Sequence, residues 1–184
     1  IMSFFTKKDF YCLAPDQRGY GKTKSLKTEN LNSFSILNLT KDISCLLKKL
    51  NINRFHIIGH DFGAYVSSYF CLIYPQGIIS VTLMSMPFSG PHKKSDINKL
   101  FCVNKNLKKL KPRKKHYQYY FSSYVAYSNI MNCKQGLNKF FRGYFYCKSY
   151  DFKDNKPFVL KSFTAKEMSK MPEYYIMRYN LGMA

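Results

Sequence analysis

The segment from Phe55 to Pro75 constrains the fold more than any other part of this sequence. An apolar run, Phe55-His56-Ile57-Ile58, enters Gly59-His60-Asp61-Phe62-Gly63 without a spacer, and a helix fits Ala64 to Tyr74, where Pro75 stops it. A strand that becomes a helix within one residue must turn sharply. The central residue then takes strained backbone angles, and the residues two before and two after it must be small; glycine stands at both. Such a turn lifts the Asp61 side chain above the carboxyl end of the sheet, where ligands bind in open α/β folds. It also leaves the Phe62 N–H at a helix N-terminus, aimed where negative charge would develop. A glycine-flanked Asp is also a good helix N-cap, and the motif alone would favour that structural reading. The strand before it and the helix after it turn the balance toward a nucleophile.

The rest of the first half reads as the same kind of layer. Phe10 to Ala14 is a short apolar run ended by Pro15, predicted to be a buried strand. The loop Asp16-Gln17-Arg18-Gly19-Tyr20-Gly21 follows, with two glycines suited to positive φ. Ile36, Leu39, Ile43, Leu46, Leu47 and Leu50 recur at helical spacing with lysines opposite, which predicts an amphipathic helix. Ile78 to Met84 predicts a further strand, closed by Pro87. Strands alternating with helices imply a parallel sheet with right-handed crossovers. After Pro87 the texture changes to a polar, basic stretch and then to aromatic helical segments with no obvious strand among them. The predicted organisation is a partial α/β core over residues 1–88 and a helical cap or lid over 89–184.

Composition narrows the function classes. Apolar residues make up 46% and aromatics 17%, which excludes a disordered chain. The net charge of +20 raises nucleic-acid binding, but the lysines are spread along the chain. Their one concentration, Lys93 to Lys115, lies in no zinc-finger, RNP-like or basic-zipper context. A lysine-rich solvated surface is the plainer reading, and no nucleic-acid partner is expected. The six cysteines are scattered, without C-x-x-C or zinc-like Cys/His spacing, so no metal and no cofactor are implied. No apolar stretch approaches the roughly 20 residues that cross a bilayer. The expectation is a reduced, cytoplasmic protein without a membrane span; oligomeric state is not legible.

An aspartate at such a turn implies a specific chemistry. A carboxylate attacks an sp³ carbon and forms an alkyl-enzyme ester; water then cleaves the ester at the Asp carbonyl, with help from an oxyanion hole and a general base. At this point the sequence resembles a known family. Ala14-Pro15-Asp16-Gln17-Arg18-Gly19-Tyr20-Gly21 and Ile58-Gly59-His60-Asp61-Phe62-Gly63-Ala64 resemble the loop and nucleophile elbow of epoxide hydrolases, the Asp-nucleophile branch of the α/β-hydrolases. Tyr74-Pro75, Ser85-Met86-Pro87-Phe88 and His116-Tyr117-Gln118-Tyr119-Tyr120-Phe121 are similar to further family segments in the same order. Phe140 to Tyr146 and Met171 to Met177 resemble later cap segments of fungal-type relatives.

The resemblance implies that Asp61 is the nucleophile, that Phe62 supplies an oxyanion N–H and a substrate contact, and that the substrate is a small-molecule epoxide. It makes Tyr117 catalytic and substrate-binding, as one of two tyrosines donating a hydrogen bond to the epoxide oxygen. A phenol of pKa about 10 can protonate the alkoxide that ring opening releases. Tyr117 is also one of 16 tyrosines, and packing alone accounts for it equally well.

Two departures stand out. Nothing before Phe10 matches the family's H-G-F-P-type oxyanion loop. The triad's acid and His follow the cap in the family, and here the sequence reaches Gly182-Met183-Ala184 still within it. Of the four histidines, His56 falls in a predicted buried strand, His60 in the elbow, His92 at the start of the cap and His116 within it. None matches the catalytic base, so little or no turnover is expected of these residues alone. Two other readings stay open: a haloalkane dehalogenase-like or other α/β-hydrolase, and a non-catalytic remnant binding a partner through its basic cap. The Phe62 side chain has no N–H to offer a halide.

Overall fold

The computed structural model describes residues 1–24, 30–88, 90, 102–154 and 159–183. The chain falls into two compact units, Ile1–Gly90 and Pro91–Ala184.

The first unit contains α1 (Met2–Thr6), a 3-10 turn (Leu31–Phe34), α2 (Ile36–Lys49), β1 (Phe55–His60), α3 (Phe62–Ile73) and β2 (Ile78–Met84). β1 and β2 pair in parallel, with Ile58 opposite Thr82, Gly59 opposite Leu83 and His60 opposite Met84. The helix between them makes this a βαβ unit. α2 packs on α3, and α3 packs on both strands. The packing follows from the residues offered: α3 buries Ala64, Val66, Ser67, Ser68 and Phe70, mostly small groups that let the helix approach the sheet closely. Phe70 meets Phe55 edge-on at 6.1 Å, and the Ser68 hydroxyl is satisfied by the Ala64 carbonyl at 2.8 Å.

The Asp16–Gly21 loop is fastened to α2. Arg18 places Nε 2.9 Å and Nη2 2.6 Å from the Asp42 carboxylate and donates through Nη1 to the Ser33 carbonyl at 3.0 Å. The hydrogen bond with Asp42 raises the guanidinium pKa. Gly19 and Gly21 both take positive φ, +84° and +50°, as the loop composition anticipates.

Three expectations need correction. Phe10 to Ala14 is not a buried strand: it joins no ladder, Tyr11 is 78% exposed, and the run rests instead on Phe10, edge-on to Phe5 and to His56 at 5.8 Å each. A strand exists through hydrogen bonds to a neighbour, and among the described residues no strand lies alongside this run. His56 is not buried either; it is exposed on β1, with Nδ1 2.7 Å from the Ser80 hydroxyl across the ladder.

The third correction concerns the second unit. It contains helical residues 102–107, then β3 (Lys114–His116), α4 (Tyr117–Phe121), α5 (Tyr124–Met131), α6 (Leu137–Tyr146), α7 (Ala165–Met168) and β4 (Ile176–Arg178). β3 and β4 pair antiparallel, Lys114 with Arg178 and His116 with Ile176, so the unit is not helical throughout. Strands of three residues are too short for alternation to show in the sequence. Two apolar clusters hold the unit: Leu107, Met168 and Ile176 in one, and Tyr120, Ala126 and Met177 in the other. Ile176 and Met177 point to opposite sides of β4, which ties the clusters together.

All six cysteines are free thiols. Among the described residues no helix is long and apolar enough to cross a membrane.

Candidate active site

Asp61 sits between β1 and α3 at φ +52°, ψ −120°. Those angles belong to the first central position of a type II′ turn, where glycine is the usual residue. Ordinary N-caps in the same chain behave differently. Asn30 and Thr164 have extended backbones and accept from N–H groups two and three residues on, those of Asn32 and Glu167. Asp61 has left-handed φ, and its Oδ2 accepts from the very next N–H, that of Phe62, at 2.7 Å. An aspartate serving only as a cap would take the extended geometry. Strain of this kind costs about 1–3 kcal/mol, and its neighbours fix it. The Asp61 N–H extends the parallel ladder to the Met84 carbonyl at 3.1 Å, and the Asp61 carbonyl accepts the first helical N–H groups, from Ala64 at 3.0 Å and Tyr65 at 3.4 Å. The side chain is exposed.

The two glycines flanking Asp61 are not equivalent. A Cβ on Gly59 would lie 2.5 Å from the Gly63 carbonyl oxygen and 2.7 Å from the Ala64 Cα; on Gly63 it would meet nothing within 4 Å. The close approach of strand to helix is made at Gly59 alone, which corrects the expectation that both positions must be small. Ser85, just past β2, is a second non-glycine residue with positive φ, +70°.

An aromatic row runs from the elbow along α3. Phe62 stacks on Tyr65 at 6.0 Å, Tyr65 meets Tyr69 at 4.9 Å, and Tyr69 meets Phe88 at 5.9 Å. Burial, and then the Tyr69 hydroxyl, push the Tyr65 pKa up to about 12, so Tyr65 remains a neutral phenol. Sequence reading passed over Tyr65 and Tyr69, although the spacing 62, 65, 69 is that of one helix face. His60 ends β1, exposed beside Asp61.

Asp61 and Phe62 belong to the first unit and Tyr117 to the second. Tyr117 opens α4; its N–H donates to the Tyr175 carbonyl at 2.8 Å, and its ring lies edge-on to Tyr175 at 5.4 Å. Next to it, His116 is buried and caps α4, Nδ1 accepting from the Gln118 N–H at 3.3 Å. His92 lies outside the described residues. Among them, no group of three or more His, Cys, Asp or Glu could hold a metal ion.

Burial lowers the His116 pKa from its ordinary value of 6.5. A base whose folded value is depressed favours folding above its unfolded value, and that contribution is lost as pH falls through the folded one. Protonation also removes the acceptor that caps α4. Chemical denaturation between pH 7.5 and 5 should therefore show stability falling below about pH 6.5, and His116→Asn, which keeps a capping acceptor, should flatten the profile. An unchanged slope in that variant would remove His116 as the cause.

The chain belongs to the alpha/beta hydrolase fold family, whose profile matches residues 1–156. Within that family it is similar to epoxide hydrolases. It is 33% identical over 85 residues to epoxide hydrolase 3 of Siraitia grosvenorii, covering 46% of this chain and 26% of that protein. It is 36% identical over 78 residues to epoxide hydrolase A of Mycobacterium tuberculosis, covering 42% and 24%. Among solved structures, epoxide hydrolase A from Mycobacterium thermoresistibile matches with a TM-score of 0.51 at 26% identity, over 64% of this chain and 34% of that one. The matched stretch thus spans about a quarter to a third of each relative's length.

Proposed function

We propose that this chain carries the nucleophilic part of an epoxide hydrolase, with Asp61 opening an epoxide to form an alkyl ester. The observation that carries the reading is the backbone of Asp61: an exposed carboxylate held at a strained strand-to-helix turn that an ordinary cap does not need. The carboxylate oxygens divide the work. Oδ2 already accepts from the Phe62 N–H, which leaves Oδ1 to attack carbon. When water later adds to the ester, Oδ2 becomes the oxyanion and the same N–H stabilises it, together with the α3 N-terminus. The aromatic row beside the carboxylate favours apolar, aryl-bearing epoxides. Tyr117, by its resemblance to the family's cap tyrosine, gives its proton to the epoxide oxygen.

We assign no histidine of these 184 residues to the hydrolytic step. His56 is engaged with Ser80, His116 caps α4, and His60 occupies a position that has no such role in the family. Exposed to styrene oxide, the 184-residue polypeptide is expected to gain the mass of one epoxide on Asp61, located by peptide mapping, and to keep it for hours. Sustained diol formation, or an adduct mapped elsewhere, would overturn this. An alkyl bromide is the comparison substrate for the dehalogenase reading; faster esterification by it than by any epoxide would favour that alternative.

A further inference from the structure

Three cations of the second unit converge on one tyrosine. The Arg113 guanidinium carbon lies 4.4 Å, Lys108 Nζ 5.4 Å and Lys115 Nζ 5.9 Å from the centre of the Tyr179 ring. All three charges therefore fall within a sphere of radius 5.9 Å. The fold gathers them from three segments. The Tyr179 N–H continues the β3–β4 ladder by donating to the Arg113 carbonyl at 2.9 Å, and alternation puts residues 113 and 115 on one side of that ladder. The intervening Lys114 donates to the Ser169 carbonyl at 2.7 Å. The buried Asn104 accepts from the His116 N–H at 3.1 Å through Oδ1 and from the Lys108 N–H at 3.1 Å through its carbonyl, which ties the Lys108 backbone to β3. Lys108 also lines a recess of about 320 Å³ with Cys102, Asn104, Lys105 and Tyr119.

Among the described residues of this unit the ion pairs are Lys170 with Glu167 and Arg178 with Glu173, so none of the three cations is joined to a carboxylate. Burial lowers the Lys115 pKa, as it does for an ammonium that gives up water without gaining an anion. Like charges gathered on the scale of a Debye length repel one another, and an anion placed among them is attracted to all three at once. We infer that Lys108, Arg113 and Lys115 form a binding site for a small polyanion of the diphosphate class, a function independent of the reading of Asp61. Compactness selects that class. A single-stranded nucleic acid is held by a basic groove that follows several nucleotides and by open aromatic faces on which bases stack. Here the charge is one cluster, and the nearby rings already carry cations: Lys108 Nζ is 4.9 Å from the Tyr119 centroid and Lys115 Nζ 4.8 Å from that of Tyr120. A diphosphate concentrates its charge on two linked tetrahedra. The Arg113 fork suits two oxygens of one phosphate, and the lysines meet the remaining oxygens as point charges. The Tyr119 hydroxyl accepts from Lys108 Nζ at 3.5 Å and keeps its own proton to donate.

Inorganic pyrophosphate titrated calorimetrically into the 184-residue chain at low ionic strength should bind saturably at one site. Combining Lys108→Met, Arg113→Met and Lys115→Met should weaken that binding at least about 30-fold, the product of three partly exposed charge contacts. Combining Lys134→Met, Lys139→Met and Lys166→Met removes the same charge from the same unit and should change the affinity less than about 3-fold, because distant exposed charges are screened. A measurement on the unaltered chain decides the matter if the first combination fails to fold. Pyrophosphate should slow acetylation of Lys108 and Lys115 by a soluble active ester, as read by peptide mapping, and leave Lys134 and Lys139 unprotected. No saturable binding, equal losses in the two combinations, or protection spread evenly over the lysines would overturn the inference. So would a thymidine oligonucleotide of equal charge that binds more tightly than pyrophosphate.

Discussion

Asp61→Ala is expected to abolish the covalent adduct, lowering ester formation at least about 1000-fold, the scale on which removal of a nucleophile is felt. The same position yields a second result that separates chemistry from folding. At φ +52° a glycine relaxes the backbone, and exchanging a capping side chain for glycine costs only a few tenths of a kcal/mol. Asp61→Gly should therefore eliminate the adduct while raising unfolding free energy by about 1 kcal/mol, measured by urea denaturation. A clear loss of stability in Asp61→Gly would mean that the carboxylate is there to hold the helix.

The glycines on either side should respond in opposite ways. At Gly59 a methyl group collides with the Gly63 carbonyl oxygen and the Ala64 Cα, as well as with the Ser67 hydroxyl at 2.6 Å. Backbone atoms cannot rotate aside, so β1 and α3 must part, and Gly59→Ala should cost about 3 kcal/mol or more. At Gly63 the methyl enters open space, and a helical Gly→Ala exchange there should be neutral or stabilising by up to about 1 kcal/mol. Similar losses at the two positions, compared by thermal or urea unfolding, would refute the one-sided packing described here.

What the sequence made legible was local. The elbow could be read because its strand, turn and helix are contiguous, and α2 because its apolar face repeats every turn. The amphipathic pattern Ile36–Leu50 matches a helix of Ile36–Lys49. Pairings across distance were not legible. Phe10–Ala14 has strand composition but no ladder, and β3 and β4 find each other across some sixty residues of chain with only three residues each to signal it. The difference between Gly59 and Gly63 was hidden for the same reason, since both read as small residues until the neighbours of each Cβ position are known. The gathering of Lys108, Arg113 and Lys115 around Tyr179 leaves only one trace, the two-residue step from Arg113 to Lys115.

The Asp61 torsion also bears on how such a gene drifts. Aspartate and glycine codons differ by a single base, so the substitution that relaxes this turn is always one mutation away. In a lineage relieved of covalent chemistry, that change would meet no opposition from folding and would be favoured by it. On the reading of Asp61 proposed above, an aspartate at this left-handed turn would be held there by chemistry and not by the fold.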